Sequence, residues 1–471
     1  MRRLEADIAV VGAGSGGLSV AAGAAQLGLK VVLFEKGEMG GDCLNSGCVP
    51  SKALIAAAHA AQSVRDASRL GVHAGEPRVD FAQVMAHVRG AIAGIAPHDS
   101  QERFEGLGVT VVREHARFAG PRTLRSDTAE VSARRIVLAT GSRARIPPVP
   151  GLADAPFLTN ETIWSLDVLP EHLLVLGAGP IGLELGQAFR RLGSRVTVIE
   201  AETPLPREDE DLRTPVLDQL AADGVELLAG ARGGQVEHAA GRVAVLADGR
   251  RIDGSHLLVA TGREPVLDGL DLEAGGVAFD REGVKVDQSL RSVSNRAVFA
   301  VGDVAGRGQF THLAGAHAGL VIRKALFAQP VNADRLVAPR VTYTDPEIAS
   351  VGLTETQARE IHGDGVRVLT APFSGNDRAV AEGDGRGFGK LILDRRGRIL
   401  GVGLVGRGAG ELISPWVMAL TSGRPLRDFT GFIAPYPTRS EIHRKLASAW
   451  FSPILFSART RKLVSLLKRV G

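Results

Sequence analysis

The run Gly12-Ala13-Gly14-Ser15-Gly16-Gly17 follows an apolar segment over residues 7–11 and precedes an alanine-rich stretch. This order predicts a buried strand, a tight turn and a helix. Gly12 permits the turn, Gly14 lets the backbone approach a pyrophosphate, and Gly17 lets the helix pack closely on the strand. The run therefore predicts the start of a dinucleotide-binding fold.

A second apolar strand over residues 30–34 completes this β–α–β unit and ends at Glu35. An acid at this point can bind both ribose hydroxyls, while the amino end of the helix holds the phosphates. A glycine-rich turn without a ligand is the structural alternative. The complete unit favours a nucleotide site.

A second, independent unit of the same kind begins at residue 172, with the phosphate turn Gly177-Ala178-Gly179-Pro180-Ile181-Gly182 and an acid at Glu200. An acid here favours an unphosphorylated ribose, so we expect NADH over NADPH, although Arg207 leaves a 2′-phosphate open. Two such units in one chain predict a relay from NAD(P)H through FAD to an acceptor. Thr261-Gly262-Arg263 echoes Thr140-Gly141-Ser142 at the end of an earlier strand.

The only two cysteines, Cys43 and Cys48, lie directly after the first unit. A helix is predicted over residues 53–64, and if it starts near Cys48 its positive end favours a thiolate. Lys52 then lies one turn further along the same face. Buried, inert cysteines are the alternative. The position beside a nucleotide unit favours a redox disulfide that exchanges electrons with a flavin.

Composition limits the classes of protein to consider. The 471 residues suggest about three domains, and 56 basic against 52 acidic residues give a net charge of +4. Aromatic residues make up only 4%, which argues against a base-stacking nucleic-acid surface. Two cysteines fit a reducing compartment, so we expect a cytoplasmic protein. We assign no metal ligands and no nucleic-acid partner.

The predicted fold class is α/β, with two Rossmann-like dinucleotide-binding domains and a carboxyl-terminal α+β dimerisation domain. The predicted boundaries are 1–147 with 268–335 for FAD, 148–267 for NAD(P)H, and 336–471 for dimerisation. A helix and then an antiparallel excursion are expected over residues 79–130. In the last domain we predict strands at 341–344, 387–393 and 401–405, and helices at 354–362 and 409–422.

These motifs resemble those of the class I pyridine nucleotide–disulfide oxidoreductases, the flavoprotein family that includes dihydrolipoamide dehydrogenase and mercuric reductase. The resemblance covers almost the whole chain and is most specific at residues 40–52, which follow the pattern G-G-x-C-x-N-x-G-C-x-P-S-K. It implies FAD, NAD(P)H and a homodimer. It also implies that Cys43 meets the substrate, that Cys48 lies under the flavin, and that Lys52 pairs with Glu184.

The expected cofactor contacts comprise turn glycines, strand-end acids and residues beside them. Asp303 follows a strand and Gly302, where it either bonds the flavin ribityl chain or caps a helix. The full set is Gly12, Gly14, Gly17, Glu35, Lys36, Gly41, Thr140, Gly141, Ser142, Gly177, Gly179, Gly182, Glu200, Gly262, Gly302 and Asp303.

The chain departs from the family near its end. The disulfide reductases of the family carry a catalytic histidine with a partner glutamate, whereas here Tyr436 occupies the histidine position and Glu441 is kept. A phenol with a pKa of about 10 is a poor base at neutral pH. Mercuric reductase also has a tyrosine there, but this chain has no cysteine after Cys48 to match its carboxyl-terminal pair.

The acceptor is accordingly left open among disulfides, lipoyl groups and metal ions. Two alternatives are quinone reduction of the diaphorase type, with the thiols secondary, and electron transfer or redox sensing through a protein partner.

The end of the chain combines an apolar segment over residues 450–456 with a basic one over 457–470, where Leu463, Leu466, Leu467 and Val470 share a helical face. Such a tail more often packs on its own domain or on the partner subunit. Contact with a membrane surface is the less favoured alternative.

Overall fold

The structure is a computed structural model that describes residues 1–468. The α-helices of this part of the chain are α1 (Ser15–Gln26), α2 (Gly41–Asn45), α3 (Cys48–Asp66), α4 (Phe81–Ile95), α5 (Gln101–Gly106), α6 (Pro180–Leu192), α7 (Glu210–Ala222), α8 (Thr311–Phe327), α9 (Glu355–His362), α10 (Asp377–Ala381), α11 (Ala409–Leu412), α12 (Ser414–Ser422), α13 (Arg427–Thr430), α14 (Glu441–Leu455) and α15 (Ala458–Leu467).

The strands are β1 (Arg2–Val11), β2 (Val31–Phe34), β3 (Val109–Val112), β4 (Arg117–Gly120), β5 (Thr123–Arg125), β6 (Ala129–Leu138), β7 (Ser142–Ala144), β8 (His172–Leu176), β9 (Arg195–Glu200), β10 (Glu226–Ala229), β11 (Gly233–Ala239), β12 (Arg242–Ala247), β13 (Arg250–Gly254), β14 (His256–Val259), β15 (Arg263–Pro265), β16 (Phe279–Asp280), β17 (Gly283–Val284), β18 (Val298–Ala300), β19 (Arg340–Thr342), β20 (Glu347–Gly352), β21 (Arg367–Pro372), β22 (Phe388–Leu393) and β23 (Ile399–Gly406).

These elements form two compact units. The first unit combines Met1–Ala61, Arg78–Glu202 and Leu228–Leu336, and it contains both glycine-rich turns. The second unit combines Gln62–Pro77, Thr203–Leu227 and the chain from Val337 onward.

The main sheet of the first unit has the strand order β3-β2-β1-β6-β5-β4, and β18 also pairs with β6. Strand β1 lies between β2 and β6 in parallel, with Val11 opposite both Phe34 and Leu138. Strand β2 and the carboxyl-terminal ends of β1 and β6 are apolar and buried, as expected for a sheet covered on both faces. Their carboxyl ends meet at one edge, which is where Gly12 follows β1.

The second glycine turn lies on a separate four-stranded sheet of the order β10-β9-β8-β14. Strand β8 is parallel to β9 and β14, with Leu176 opposite Ile199 and Val259. Its turn repeats the first closely. Gly12 and Gly177 have φ values of +103° and +105°, and a Cβ would lie 2.4 Å and 2.5 Å from the carbonyl oxygens that follow the third strand of each unit.

Two details of the first unit differ from the expectation. Strand β3 pairs with β2 in parallel, so the antiparallel excursion consists of β4 and β5 alone. Strand β6 starts at Ala129, before the apolar run 135–138 that the sequence marks as a strand, because its first half forms the ladder with β5. The expected helix over residues 53–64 is confirmed as α3, which begins at Cys48.

The second unit is built on an antiparallel sheet of the order β19-β20-β23-β22-β21. Its core includes Phe373 and Trp416, both fully buried. The three expected strands are present, but β20 and β21 were not predicted. The helix expected over residues 409–422 is divided into α11 and α12, because Pro415 in the first turn of α12 has no amide proton to continue a helix.

Of the two favoured expectations for the tail, packing on its own domain or on the partner subunit, only the first can be compared with this single chain. Within the described residues, α15 has no buried residue, so it does not pack on its own domain. Val470, expected on the same face, lies outside the described residues. Across residues 1–468, no helix is long and apolar enough to cross a membrane.

The close approach of α6 to its preceding turn gives a test of the fold. A Cβ on Gly182 would lie 2.0 Å from the carbonyl oxygen of Gly177, whereas a Cβ on Gly186 in the same helix makes ordinary contacts at 3.5 Å. We expect Gly182→Ala to lower the free energy of unfolding by about 1–3 kcal/mol through overpacking. Gly186→Ala should be neutral or stabilising, because alanine favours a helix. Urea unfolding of both variants measures this, and equal effects would contradict it.

Candidate active site

The two cysteines lie on consecutive short elements of the first unit. Cys43 is in α2 and Cys48 is the first residue of α3. The turn between them is held from outside, because the indole of Trp164 donates to the Ser46 carbonyl oxygen at 2.9 Å. Both thiols are free in this structure, with Cys43 half-buried and Cys48 exposed.

The surroundings shift the pKa values of the two thiols in opposite directions. A hydrogen bond from Cys43, a second from Thr311 and the charge of Lys52 lower the pKa of Cys48 to about 6, against the opposing effect of partial desolvation of the sulfur. The same hydrogen bond to Cys48, together with burial, raises the pKa of Cys43. The reduced pair therefore holds one proton at neutral pH, on Cys43, and one negative charge on Cys48.

Thr311 is a site residue that the sequence analysis missed. Its hydroxyl lies 3.3 Å from the Cys48 sulfur, although 263 residues separate the two positions. Thr311 begins α8, so the hydroxyl and the first turns of two helices meet at one thiol. Nothing local in the sequence indicates which strand end this helix faces, so the contact with Cys48 could not be predicted.

The ion pair implied by the family resemblance is formed. The Lys52 ammonium nitrogen lies 2.7 Å from the Glu184 carboxylate, across 132 residues of chain. The Glu184 side chain is only 7% exposed and that of Lys52 is 38% exposed. Because burial of a lone charge is unfavourable, each group supports the other. The pair connects the redox helix α3 with α6 of the second nucleotide turn.

A chain of polar contacts connects the redox loop with the predicted ribityl acid. The Arg263 guanidinium lies 3.2 Å from Asp42, next to Cys43, and donates to the Ser142 hydroxyl at 2.8 Å. Ser142 in turn donates to Asp303. The Asp303 carboxylate thus accepts a hydrogen bond from a residue of β7, and burial raises the pKa of Asp303. In the sequence, Arg263 stands out only as the last residue of Thr261-Gly262-Arg263, the run that resembles Thr140-Gly141-Ser142.

The acids at the ends of β2 and β9 have matching environments. Glu35 accepts from the Ala13 amide at 2.6 Å and from the Gly37 amide at 2.7 Å. Glu200 accepts from the Ala178 amide at 2.7 Å and from the Glu202 amide at 2.9 Å. Each carboxylate is therefore fixed against its own glycine turn and keeps further lone pairs for ribose hydroxyls.

Both turns fit a pyrophosphate. A Cβ at Gly14 or Gly179 would meet no atom within 4 Å, so there is open space at the point where the backbone must approach a ligand. Neither α1 nor α6 carries an acidic residue in its first turn or a side-chain cap on its amino end. The positive end of each helix is thus available to an anion.

The remaining expected cofactor residues are distributed around these turns. The Gly41 backbone passes close to Gly14, since a Cβ on Gly41 would lie 2.7 Å from the Gly14 Cα. The Thr140 hydroxyl donates to the Val266 carbonyl oxygen at 2.7 Å, and Val266 bonds back to Gly141. This threonine therefore has a structural partner. Lys36 is exposed.

Tyr436 and Glu441 lie in the second unit and do not form a pair. The Tyr436 hydroxyl donates to Asp377 at 2.9 Å, and this hydrogen bond raises the pKa of the phenol. Within residues 1–468, the buried Oε2 of Glu441 has no hydrogen-bond partner. His443 does not replace the missing histidine, because it is 1% exposed and burial lowers its pKa to about 4.

The Cys48–Thr311 contact leads to a direct prediction. Thr311→Val removes a donor while keeping the shape, so we expect the pKa of Cys48 to rise by on the order of one unit. Thr311→Ser keeps the hydroxyl and is the matched control. In the reduced wild-type protein the thiolate should be half-formed near pH 6 and protonated below it. The pH dependence of alkylation at Cys48 measures both quantities, and an identical profile in the two variants would contradict the assignment.

Comparison with known proteins gives consistent matches along the chain. Residues 6–318 match the family described as pyridine nucleotide-disulphide oxidoreductase, and residues 338–447 match its dimerisation domain. The chain is 36% identical to mercuric reductase of Streptomyces lividans over 465 residues, which cover 95% of this chain and 97% of the relative. It is 34% identical to dihydrolipoyl dehydrogenase of Bacillus subtilis (strain 168) over 454 residues, with 94% and 98% covered.

Solved structures agree with these matches. The HOCl-induced flavoprotein disulfide reductase RclA from Escherichia coli superposes with a TM-score of 0.85 at 28% identity, over 94% of this chain and 99% of RclA. LpdA from Mycobacterium tuberculosis gives a TM-score of 0.85 at 27% identity, with 96% and 100% covered. Members of this family are FAD-dependent and use NAD(P)H. The expected α/β fold class is confirmed, and the chain belongs to the pyridine nucleotide–disulfide oxidoreductase family.

Proposed function

We propose that this protein is a homodimeric, cytoplasmic flavoenzyme that moves electrons from NADH through FAD to the Cys43–Cys48 pair and on to a thiophilic acceptor. Among the acceptors considered, a soft metal ion is favoured over a lipoyl or glutathione disulfide. The match of residues 338–447 to a dimerisation domain supports the homodimer.

The observation that carries the proposal is the thiolate environment of Cys48. Negative charge on the Cys48 sulfur is stabilised by the amino end of α3 and by the ammonium group of Lys52. Hydrogen bonds from the Thr311 hydroxyl and the Cys43 thiol stabilise it further. Such an environment suits a redox thiol and has no use in an inert structural cysteine. The two nucleotide turns of the same unit support a role in pyridine nucleotide chemistry.

Bound FAD would supply two-electron exchange between NAD(P)H and the disulfide. The first glycine turn, with Glu35, would hold it, and Ser142 and Asp303 would bind its ribityl chain. Cleavage of the Cys43–Cys48 bond leaves a proton on Cys43 and a thiolate on Cys48. Lys52 stabilises that thiolate, and Glu184 keeps Lys52 in position.

The second turn, with Glu200, would hold NADH. An acid at the end of β9 opposes a 2′-phosphate by charge repulsion. The contacts of Glu200 with two backbone amides fix it at the place where the ribose is expected. The proposed division into FAD, NAD(P)H and dimerisation domains assigns each glycine turn to its own cofactor.

The preference for a metal ion rests on Tyr436. Reduction of a disulfide substrate releases a thiolate that needs a proton, and a histidine of suitable pKa provides it in the family's disulfide reductases. Tyr436 is 71% exposed, and the raised pKa of its phenol makes it a weaker acid than the thiol that it would have to protonate. Passing two electrons from the reduced pair to a bound metal ion re-forms the Cys43–Cys48 bond and releases the Cys43 proton, so no proton has to be delivered to a leaving thiolate. Two relatives point the same way, since one is named a mercuric reductase and RclA is described in a Cu(II) complex.

The role of Cys48 is tested by anaerobic titration of the FAD-loaded protein with NADH. We expect a long-wavelength absorbance from the Cys48 thiolate next to oxidised flavin, present above about pH 6 and lost below it as the thiol protonates. Cys48→Ser should abolish the band, while Cys43→Ser keeps a thiolate at position 48 and should retain it. A band that persists in Cys48→Ser would refute the assignment.

The choice of acceptor is tested by turnover with mercuric ion, Cu(II), lipoamide, glutathione disulfide and a quinone. Tyr436→Phe should leave NADH-dependent metal-ion reduction within about threefold, because no proton transfer at this position is needed. A loss of about a hundredfold would refute the metal-ion assignment. Cys43→Ser should abolish metal-ion reduction. If the wild-type protein reduces only the quinone, and Cys43→Ser does so equally well, the diaphorase alternative is correct.

A further inference from the structure

Outside the redox site, a large apolar surface is exposed on segment 454–468 of the second unit, called the tail. Its large apolar side chains are 55–66% exposed, namely Ile454, Leu455, Phe456, Leu463, Val464, Leu466 and Leu467. So large an apolar surface on a folded chain calls for a covering partner. The match to the dimerisation domain ends at residue 447, before this segment.

The tail helix α15 separates its residues by chemistry. At 100° per residue, Leu463, Leu466 and Leu467 lie on one side, with Val464 at its edge. The opposite side carries Arg461, Lys462, Ser465 and Lys468. Arg459, in the first turn, lies on the apolar side, where its aliphatic stem can follow the leucines and its charge can reach the polar boundary.

The charge of the segment indicates what covers it. After Glu441 the sequence contains seven basic residues and no acidic one, the basic residues being Arg444, Lys445, Arg459, Arg461, Lys462, Lys468 and Arg469. A two-fold contact between two copies of the tail would bring like charges together. A partner with an apolar interior and negative charges at its boundary would contact the leucine side and the basic side of the helix favourably at the same time.

We propose that the tail is an interfacial anchor that binds anionic lipid bilayers, with the leucine side in the acyl boundary and the basic side against lipid phosphates. The helix is ten residues long, about half of what a span needs, so it lies in the plane of the surface. The exposed Ile454, Leu455 and Phe456 before it extend the apolar contact.

Sedimentation with sucrose-loaded vesicles tests the anchor in the FAD-loaded, full-length protein. We expect binding to vesicles of phosphatidylcholine with phosphatidylglycerol at low salt, little binding to phosphatidylcholine alone, and release at high salt. Absence of binding to the anionic vesicles, or equal binding to the neutral ones, would overturn the proposal.

Matched variants distinguish the two sides of the helix. Leu467→Asp and Ser465→Asp change the net charge equally, but only the first places the acid on the apolar side. We expect Leu467→Asp to weaken partitioning about tenfold or more relative to Ser465→Asp. Arg461→Gln with Lys462→Gln should weaken binding and reduce its salt dependence. Flavin absorbance and the melting temperature confirm that each variant is folded.

If a second copy of the chain covers the tail instead of a bilayer, the same variants give a different result. If Leu467→Asp converts the dimer to a monomer in analytical ultracentrifugation, while vesicle binding is absent or unchanged, the partner subunit covers the tail and the lipid proposal is wrong. Equal effects of Leu467→Asp and Ser465→Asp on vesicle binding would reduce the tail to a non-directional basic patch and also overturn it.

Discussion

The ion pair between Lys52 and Glu184 is the constraint on which the organisation of the first unit depends. It joins the helix that starts at the reactive thiol to the helix that starts at the second phosphate turn. Neither helix can turn about its axis without separating a nearly buried carboxylate from that ammonium group. The same ammonium group acts on Cys48 through space. A single contact thus fixes two helices relative to each other and contributes to the charge state of the thiol.

The two nucleotide turns show why a local pattern predicts a fold well. At Gly12 and Gly177 the backbone adopts a positive φ under a carbonyl oxygen, which excludes a side chain at both positions. At Gly17 and Gly182 a Cβ would collide with the turn itself. The positive φ and the contact between the first and last glycine act within six residues, so the sequence alone reveals them, whereas the carbonyl oxygens over Gly12 and Gly177 belong to Ala139 and Ala260. The acids Glu35 and Glu200 follow at a fixed distance because each strand and helix has a fixed length.

Contacts between distant parts of the chain could not be predicted in this way. Thr311 reaches Cys48 because α8 starts beside the edge of the parallel sheet, and Arg263 reaches Asp42 from a short strand after the second nucleotide sheet. Neither position carries a local signal of its role. The tail shows a limit of another kind, because its amphipathic pattern was recognised, but its own domain, one of the two favoured partners, does not cover it within the described residues. Amphipathicity reveals that a helix face needs a partner and does not identify the partner.

The confinement of Cys43, Cys48, Lys52, Glu184 and Thr311 to one unit has an evolutionary consequence. The residues that support reduction of the Cys43–Cys48 pair and the segment around Tyr436 belong to different units of the chain. Substitutions at residues 434–441 can therefore accumulate without disturbing the thiolate environment. A lineage of such proteins can exchange one oxidant for another while its electron supply stays unchanged, so duplicated genes have an easy route to new specificities.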